Sequence, residues 1–235
     1  NGSYEISIRI KKNKPKGLFG INIGPNKDSS DRIKDYIDCF NKFKNLADYL
    51  TINISSPNTE NLRNFHEKKE LKELLEAINK EKVSQNSKIP IAIKISPDLN
   101  ENQIEEISEI LLENNIDIAI ISNSSESNRK NLININKIEK GGLSGKPIEK
   151  ISNIIISKFY NLIGKKIKII GVGGTDSARG VYEKIVHGAS LVQLYTGMVY
   201  KGPKIASQIN KELIKFLDKD GIKNINEIIG SKKSS

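Results

Sequence analysis

Six times along this chain a short apolar strand pattern is followed by a helical one, and that alternation leaves few folds open. The strand patterns lie near Leu18 to Ile23, Tyr49 to Ile54, Ile91 to Ile95, Ile118 to Ser122, Ile167 to Val172 and Leu191 to Leu194. Between them run stripes at helical spacing: Leu71, Leu74, Leu75 and Ile78, then Ile104, Ile107 and Leu111, and later Ile205, Ile209 and Leu213. Two periods alternating in this way predict βα units around a parallel sheet. Within the strands, Phe19, Ile21 and Ile23 alternate with Gly20 and Asn22, while Ile91, Ile93 and Ile95 alternate with Ala92 and Lys94. One face is bulky and the other small or polar, which suits a barrel with helices outside and functional groups inside, at the C-terminal strand ends. The fold class expected is therefore α/β, a (β/α)8 TIM barrel with about six of its eight units. An open sheet would also satisfy the pattern. Residues 1–16 contain no strand and helix pair and read as a lead-in segment, 17–230 as the partial barrel, and 231–235 as a disordered tail.

Charge and cysteine usage narrow the function. The 38 basic and 28 acidic residues give a formal charge of +10, but lysines are interleaved with acids, as from Lys69 to Lys82, which predicts solvated helix faces and no nucleic-acid partner. Cys39 is the one cysteine, so no internal disulfide forms. It falls in the helical stripe Ile33, Ile37, Phe40 and reads as a core or flank thiol. His66 and His187 are expected to take no part in catalysis, and no His/Cys or paired-carboxylate constellation predicts a metal.

The chemistry concentrates at strand ends. In Tyr49 to Asn58, Leu50, Ile52 and Ile54 point one way and Thr51, Asn53 and Ser55 the other, with Ser56 and Asn58 leaving the strand. An asparagine near the end of a buried strand is costly unless something hydrogen-bonds it, so this segment reads as the wall of a polar ligand site. Lys94 lies between Ile93 and Ile95 and shares the parity of those wall residues; its ammonium either meets an anion or snorkels to solvent. Ser122 and Asn123 end a strand in the same way, or simply cap a loop. Gly171 to Gly174 forms either a backbone cradle for a phosphate, with the helix near Ser177 to Val186 behind it, or a tight turn. Leu194, Tyr195 and Thr196 lie beside it, where barrel phosphate sites are commonly built. Gly141 to Pro147 can act as a lid or as a clamp.

In order along the chain, G-I-N-I-G, N-I-S-S-P-N-T, K-I-S-P-D, I-S-N, G-G-L-S-G-K-P, I-I-G-V-G-G and Q-L-Y-T-G resemble the class 2, quinone-dependent dihydroorotate dehydrogenases from about Gly17 to Gly230. The resemblance implies FMN as cofactor and oxidation of dihydroorotate to orotate with a quinone as final acceptor, the fourth step of pyrimidine (UMP) synthesis. It implies Ser56 as catalytic base and Lys94 as electrostatic partner of the flavin. Asn22, Asn53, Lys94 and Ser122 would hold the flavin ring and ribityl chain, with Gly145, Gly173, Gly174, Tyr195 and Thr196 completing the site toward the phosphate. Asn53, Asn58, Asn123 and Ser124 would bind dihydroorotate or orotate. Thr59 or a water would relay the serine proton. The family also has about two βα units before the position of Gly17 and helices that associate peripherally with a membrane, bacterial cytoplasmic or mitochondrial inner. This implies membrane association through that region and leaves open that the chain is an inactive fragment. Ser122 and Ser124 stand where threonine is common, and Glu60-Asn61 where glycine precedes Leu-Arg, a departure expected to bear on the active-site lid. A different phosphate-binding barrel oxidoreductase or isomerase would use the same glycine turn, and a non-catalytic basic binding protein would account for the charge.

Overall fold

The computed structural model describes residues 2–127 and 129–232. Its six strands are β1 (Gly20–Ile23), β2 (Tyr49–Asn53), β3 (Ile91–Ile95), β4 (Ile118–Ile121), β5 (Lys168–Val172) and β6 (Leu191–Gln193). They form one sheet in sequence order, every neighbouring pair parallel. Parallel neighbours require a crossover, and helices supply it: α2 (Arg32–Phe43), α3 (Lys68–Ser84), α4 (Glu101–Glu113), α5 (Glu149–Ile163) and α6 (Ala178–Val186), with α7 (Thr196–Lys201) and α8 (Ile205–Lys219) after β6. The expected six units of a barrel are present. Residues 1–16, to which the sequence assigned no element, contain α1 (Ser3–Lys12), which packs beside α2 and buries Ile10. Of the tail, Ser231 and Lys232 are hydrogen-bonded to Ile228 and Val186, and residues 233–235 lie outside the described residues.

The alternation within the strands separates two cores. Leu50, Ile52 and Ile54 of the β2 segment and Ile91, Ile93 and Ile95 of β3 pack in one cluster with Leu71, Leu74, Leu75 and Ile78 of α3 and Ile104, Ile107 and Leu111 of α4. The opposite parity forms a smaller cluster of Ala92, Ile120 and Ile170 with Tyr49, Ile118 and Val172. This second face is concave. Four strand steps of about 4.8 Å would hold β2 and β6 roughly 19 Å apart in a flat sheet, yet Gln193 Nε2 donates to the Tyr49 hydroxyl at 3.3 Å. The sheet therefore curls as part of a barrel wall, and its interior is the small and polar face.

Local signals set the helix starts. Asp31 caps α2 by accepting from Lys34 N at 3.0 Å, Asn100 and Gln103 form a capping box on α4, and Ser177 caps α6. On α3 the glutamate Glu76 lies 3.9 Å from Lys72, one turn earlier, rather than pairing with Lys80; between exposed side chains such a contact contributes at most a few tenths of a kcal/mol.

Candidate active site

The C-terminal strand ends surround a cavity of about 1070 Å³. Lys94, Ser122, Asn123, Ser124, Gly145, Gly173, Gly174, Tyr195 and Thr196 line it together. Lys94 arrives there because Ile93 and Ile95 on either side are turned into the helical core and fully buried. Burial lowers the pKa of its ammonium, and no side chain or backbone group among the described residues pairs with it. Ser122 follows a cis peptide at the end of β4. Its N–H donates to the Val172 carbonyl at 2.9 Å, while its hydroxyl is buried and has no hydrogen-bond partner among the described residues. A cation and a hydroxyl left open beside one cavity are complementary to a polar, electron-rich ligand.

The glycines make the other end of the cavity. Gly173 and Gly174 have φ of 121° and 74°, in the region where side chains are strained, and a Cβ on Gly174 would lie 2.4 Å from Glu149 Cβ. Gly145 has φ of 75°, and Thr196 donates through Oγ1 to the Ser144 hydroxyl at 3.0 Å. The Thr175 hydroxyl beside them is buried and has no partner among the described residues. Tyr195 lies at the rim with 78% of its surface exposed, so only its backbone is placed to serve a ligand in the cavity.

Behind Asn123 and Ser124, which line the cavity after β4, stands the end of β2, whose Asn53 is not itself among the lining residues. Asn53 Oδ1 accepts from the Ser55 hydroxyl at 3.1 Å and from Asn123 Nδ2 at 3.2 Å, while Asn123 Nδ2 also reaches Ser55 Oγ at 3.0 Å. These bonds join the two asparagines across the strand ends. Ser56 is half-buried just past β2, is not among the cavity's lining residues, and accepts from Asn58 N at 3.3 Å. Asn58 borders an adjoining pocket of about 650 Å³ with Arg129 and Gly141. No hydrogen bond joins Ser56 to Thr59 among the described residues. Asn22, on the edge strand β1, is exposed and lies apart from both pockets. The Gly141 to Pro147 loop is docked rather than free: Ser125 and Leu143 exchange backbone hydrogen bonds at 2.9 and 2.7 Å, and a Cβ on Gly142 would meet Ser124 and Pro57. Arg129 reinforces it by donating to the carbonyls of Lys137, Glu139 and Gly141.

Sequence reasoning missed the junction behind this wall. Arg63 donates from Nη1 to Asp98 at 3.0 Å and to Glu126 at 2.9 Å, from Nη2 to the Ser124 carbonyl at 3.0 Å, and from Nε to the Ser55 carbonyl at 3.4 Å. Asp98 accepts in addition from Ser125, Ser127 and the Glu126 N–H. Burial pushes the Asp98 carboxyl up, but those three donors and Arg63 outweigh it and hold it below the ordinary aspartate value. The Glu60-Asn61 departure is absorbed here, because Asn61 has φ of 55° and takes the left-handed conformation that glycine would. Only K-I-S-P-D and Leu-Arg marked this junction in the sequence, and neither carries an obvious charge pattern.

His66, expected in a charged loop, is instead 2% exposed. Its Nε2 accepts from Ser96 N at 3.3 Å and its Nδ1 contacts the Arg63 carbonyl at 3.0 Å, so the neutral ring joins the β2 and β3 loops. Burial pushes its pKa down to about 4. The unfolded chain therefore binds the proton first as pH falls, and stability worth about 3 kcal/mol, present above pH 6.5, is lost between there and pH 4. Denaturant titrations at pH 7 and 4.5 should show this loss, shallower in His66→Gln. An NMR titration placing the ring's pKa above 6 would contradict it. His187 ends α6 as expected, its Nδ1 against the Glu183 carbonyl. Burial raises the Cys39 thiol, as for a packed rather than reactive cysteine. Among the described residues no group of three or more His, Cys, Asp or Glu could hold a metal.

The family model for dihydroorotate dehydrogenase matches residues 1–217. A dihydroorotate dehydrogenase (quinone) of Bartonella henselae is 43% identical over 229 residues, which cover 96% of this chain and 63% of the relative. The protein of the same name from Mesorhizobium japonicum is 44% identical over 228 residues, 97% of this chain and 63% of the relative. A mitochondrial counterpart from Arabidopsis thaliana is 41% identical, with 92% of this chain and 48% of the relative covered. The crystal structure of DHODH from Eimeria tenella in complex with ferulenol superposes with a TM-score of 0.92 at 30% identity, over 98% of this chain and 68% of that one. The chain thus spans less than two thirds of the length of these curated relatives.

Proposed function

Since the chain belongs to the dihydroorotate dehydrogenase family, we propose that its cavity takes FMN and that the protein oxidises dihydroorotate to orotate with a quinone as final acceptor. The observation that carries this reading is the Lys94 ammonium, desolvated and without a partner at the cavity wall. Burying a charge without a counter-ion is costly, and a ligand that accumulates negative charge relieves that cost. The fit is supported at both ends: Ser122 offers a hydroxyl with no partner among the described residues beside Lys94, and Gly145, Gly173 and Gly174 bring positive-φ backbone, where a side chain would be strained, to the cavity wall at which a phosphate would bind.

Held there, FMN would supply the acceptor for the hydride from C6 of dihydroorotate and the route of its electrons to the quinone. The chain's own residues do the rest. Ser56 takes the C5 proton at Oγ as its own hydroxyl proton passes to a water, and the Asn58 N–H at 3.3 Å lowers the cost of negative charge developing on that oxygen. Asn53 and Asn123, locked together through Asn53 Oδ1, present their remaining amide groups to the orotate ring with Asn58 and Ser124. Lys94, Ser122 and Asn53 hold the flavin, and Gly145, Gly173, Gly174, Tyr195 and Thr196 its phosphate end, while Asn22, exposed on β1 and apart from the cavity, is given no contact. A lipid-soluble quinone implies peripheral association with a bacterial cytoplasmic or mitochondrial inner membrane. No helix of the described residues is long and apolar enough to cross one.

Protein incubated with FMN and desalted should be yellow, with absorption near about 450 nm. Anaerobic dihydroorotate should bleach it and a quinone restore the colour. A colourless protein, or one indifferent to dihydroorotate, would remove this assignment. Lys94→Met should slow the bleaching roughly 10²-fold or more, the usual loss for a preorganised charge at a reacting centre.

A further inference from the structure

We infer that Lys184 is a positioning residue for the phosphate end of the cavity: its buried side chain holds Ser152, and through Ser152 the β5 terminus, so that the Gly173–Gly174 turn presents its backbone to an anion. This rests on the flavin-phosphate reading above.

Lys184 lies on α6, is 0% exposed and takes no part in the chemistry described so far. It crosses the back of β5, where a Cβ on Gly171 would come within 3.1 Å of its Cδ. Its Nζ donates to Ser152 Oγ and Asn153 Oδ1, both at 3.0 Å on α5, and makes no salt bridge to a carboxylate among the described residues. Ser152 Oγ in turn donates to the Val172 carbonyl at 2.6 Å. That same carbonyl receives the Ser122 N–H, so one acceptor joins the two strand ends that flank the cavity. Ser152 also backs the turn itself, since a Cβ on Gly173 would lie 3.0 Å from Ser152 Cβ.

An ammonium held only by neutral groups is a poor choice for packing, because a methionine of similar length would fill the space without desolvating a charge. Its placement is useful if an anion binds on the far side of the turn. The charge then adds to the field of the α6 N-terminus through poorly screened interior, while the hydrogen bonds hold the turn in its open form. The charged groups facing Lys184 are Glu149 and Lys146 at the start of α5, with His187 at the end of its own helix; α5 otherwise offers Ser152 and Asn153, and β5 offers Gly171. Burial lowers its pKa to about 8, against the pull of Glu149. The charge is therefore present at pH 7 and lost as pH rises through about 8.

Two flavins differing only in the phosphate separate this role from plain packing. Titrated into the purified protein and followed by fluorescence, FMN should bind about tenfold more weakly at pH 9 than at pH 7, while riboflavin should not change. Lys184→Met should weaken FMN by about tenfold at pH 7, abolish its pH dependence and leave riboflavin within about twofold. Ser152→Ala should reproduce the FMN-selective loss and decides the matter if Lys184→Met is insoluble. Equal losses for both flavins, or FMN binding that neither variant changes, would overturn the inference alone. An unmodified protein that binds neither flavin would overturn the proposed function and this inference with it.

Discussion

Ser56→Ala is expected to bind FMN as the unmodified protein does and to lose nearly all flavin reduction by dihydroorotate. The side chain is half-buried at the end of β2 and, among the described residues, its one hydrogen bond is from the Asn58 N–H, so its removal opens no core cavity. What disappears is the proton acceptor, whose loss costs roughly 10²- to 10⁴-fold. Stopped-flow bleaching of bound flavin measures this directly, with thermal denaturation as control. Unchanged reduction would remove Ser56 from the reaction, and a matching loss of FMN affinity would assign it to binding. Ser56→Cys should retain part of the rate, because a thiolate accepts the proton at the same position.

Arg63→Leu should cause the largest loss of stability among single substitutions near the site. The side chains of Arg63 and Asp98 are 22% and 14% exposed, so their pair is poorly screened, and removing the arginine leaves Asp98 desolvated and two carbonyls without a donor. Breaking such a network costs on the order of 2–4 kcal/mol, which for a chain of this size lowers the melting temperature by roughly 5–15 °C. The exposed pair Lys68 with Glu109 provides the contrast: Lys68→Ala should cost under about 1 kcal/mol. Because Arg63 anchors the loops after β2, β3 and β4 but touches nothing on β5 or β6, surviving Arg63→Leu protein should show a raised KM for dihydroorotate with FMN affinity intact. A melting temperature within about 2 °C of the unmodified protein would show that the network contributes no more than a surface pair.

Much of the site was legible because strand parity is a local property. Lys94 between two isoleucines must face the side opposite to them wherever the strand lies, and Ser122, ending β4, follows in the same way, whereas the glycine turn was read from its backbone chemistry and its place after β5. Asn22 shares that parity yet is exposed and outside the cavity lining, since parity fixes the face of a residue and not what stands across from it. The departure at Glu60-Asn61 is resolved by one dihedral angle, which no pattern of residue types displays.

What the sequence determined by itself is the order of the six strands and the helices between them and the face each strand residue takes, though not α1, since periods of 2 and 3.6 are properties of a few consecutive residues. Tertiary structure alone decided that Arg63 would meet Asp98 and Glu126, 35 and 63 positions away, that His66 would be enclosed between two loops, and that Lys184 would be buried against Ser152. Such meetings depend on sheet order, register and curl, which bring distant strand ends to one rim, and their polar side chains follow no periodicity before the chain has folded.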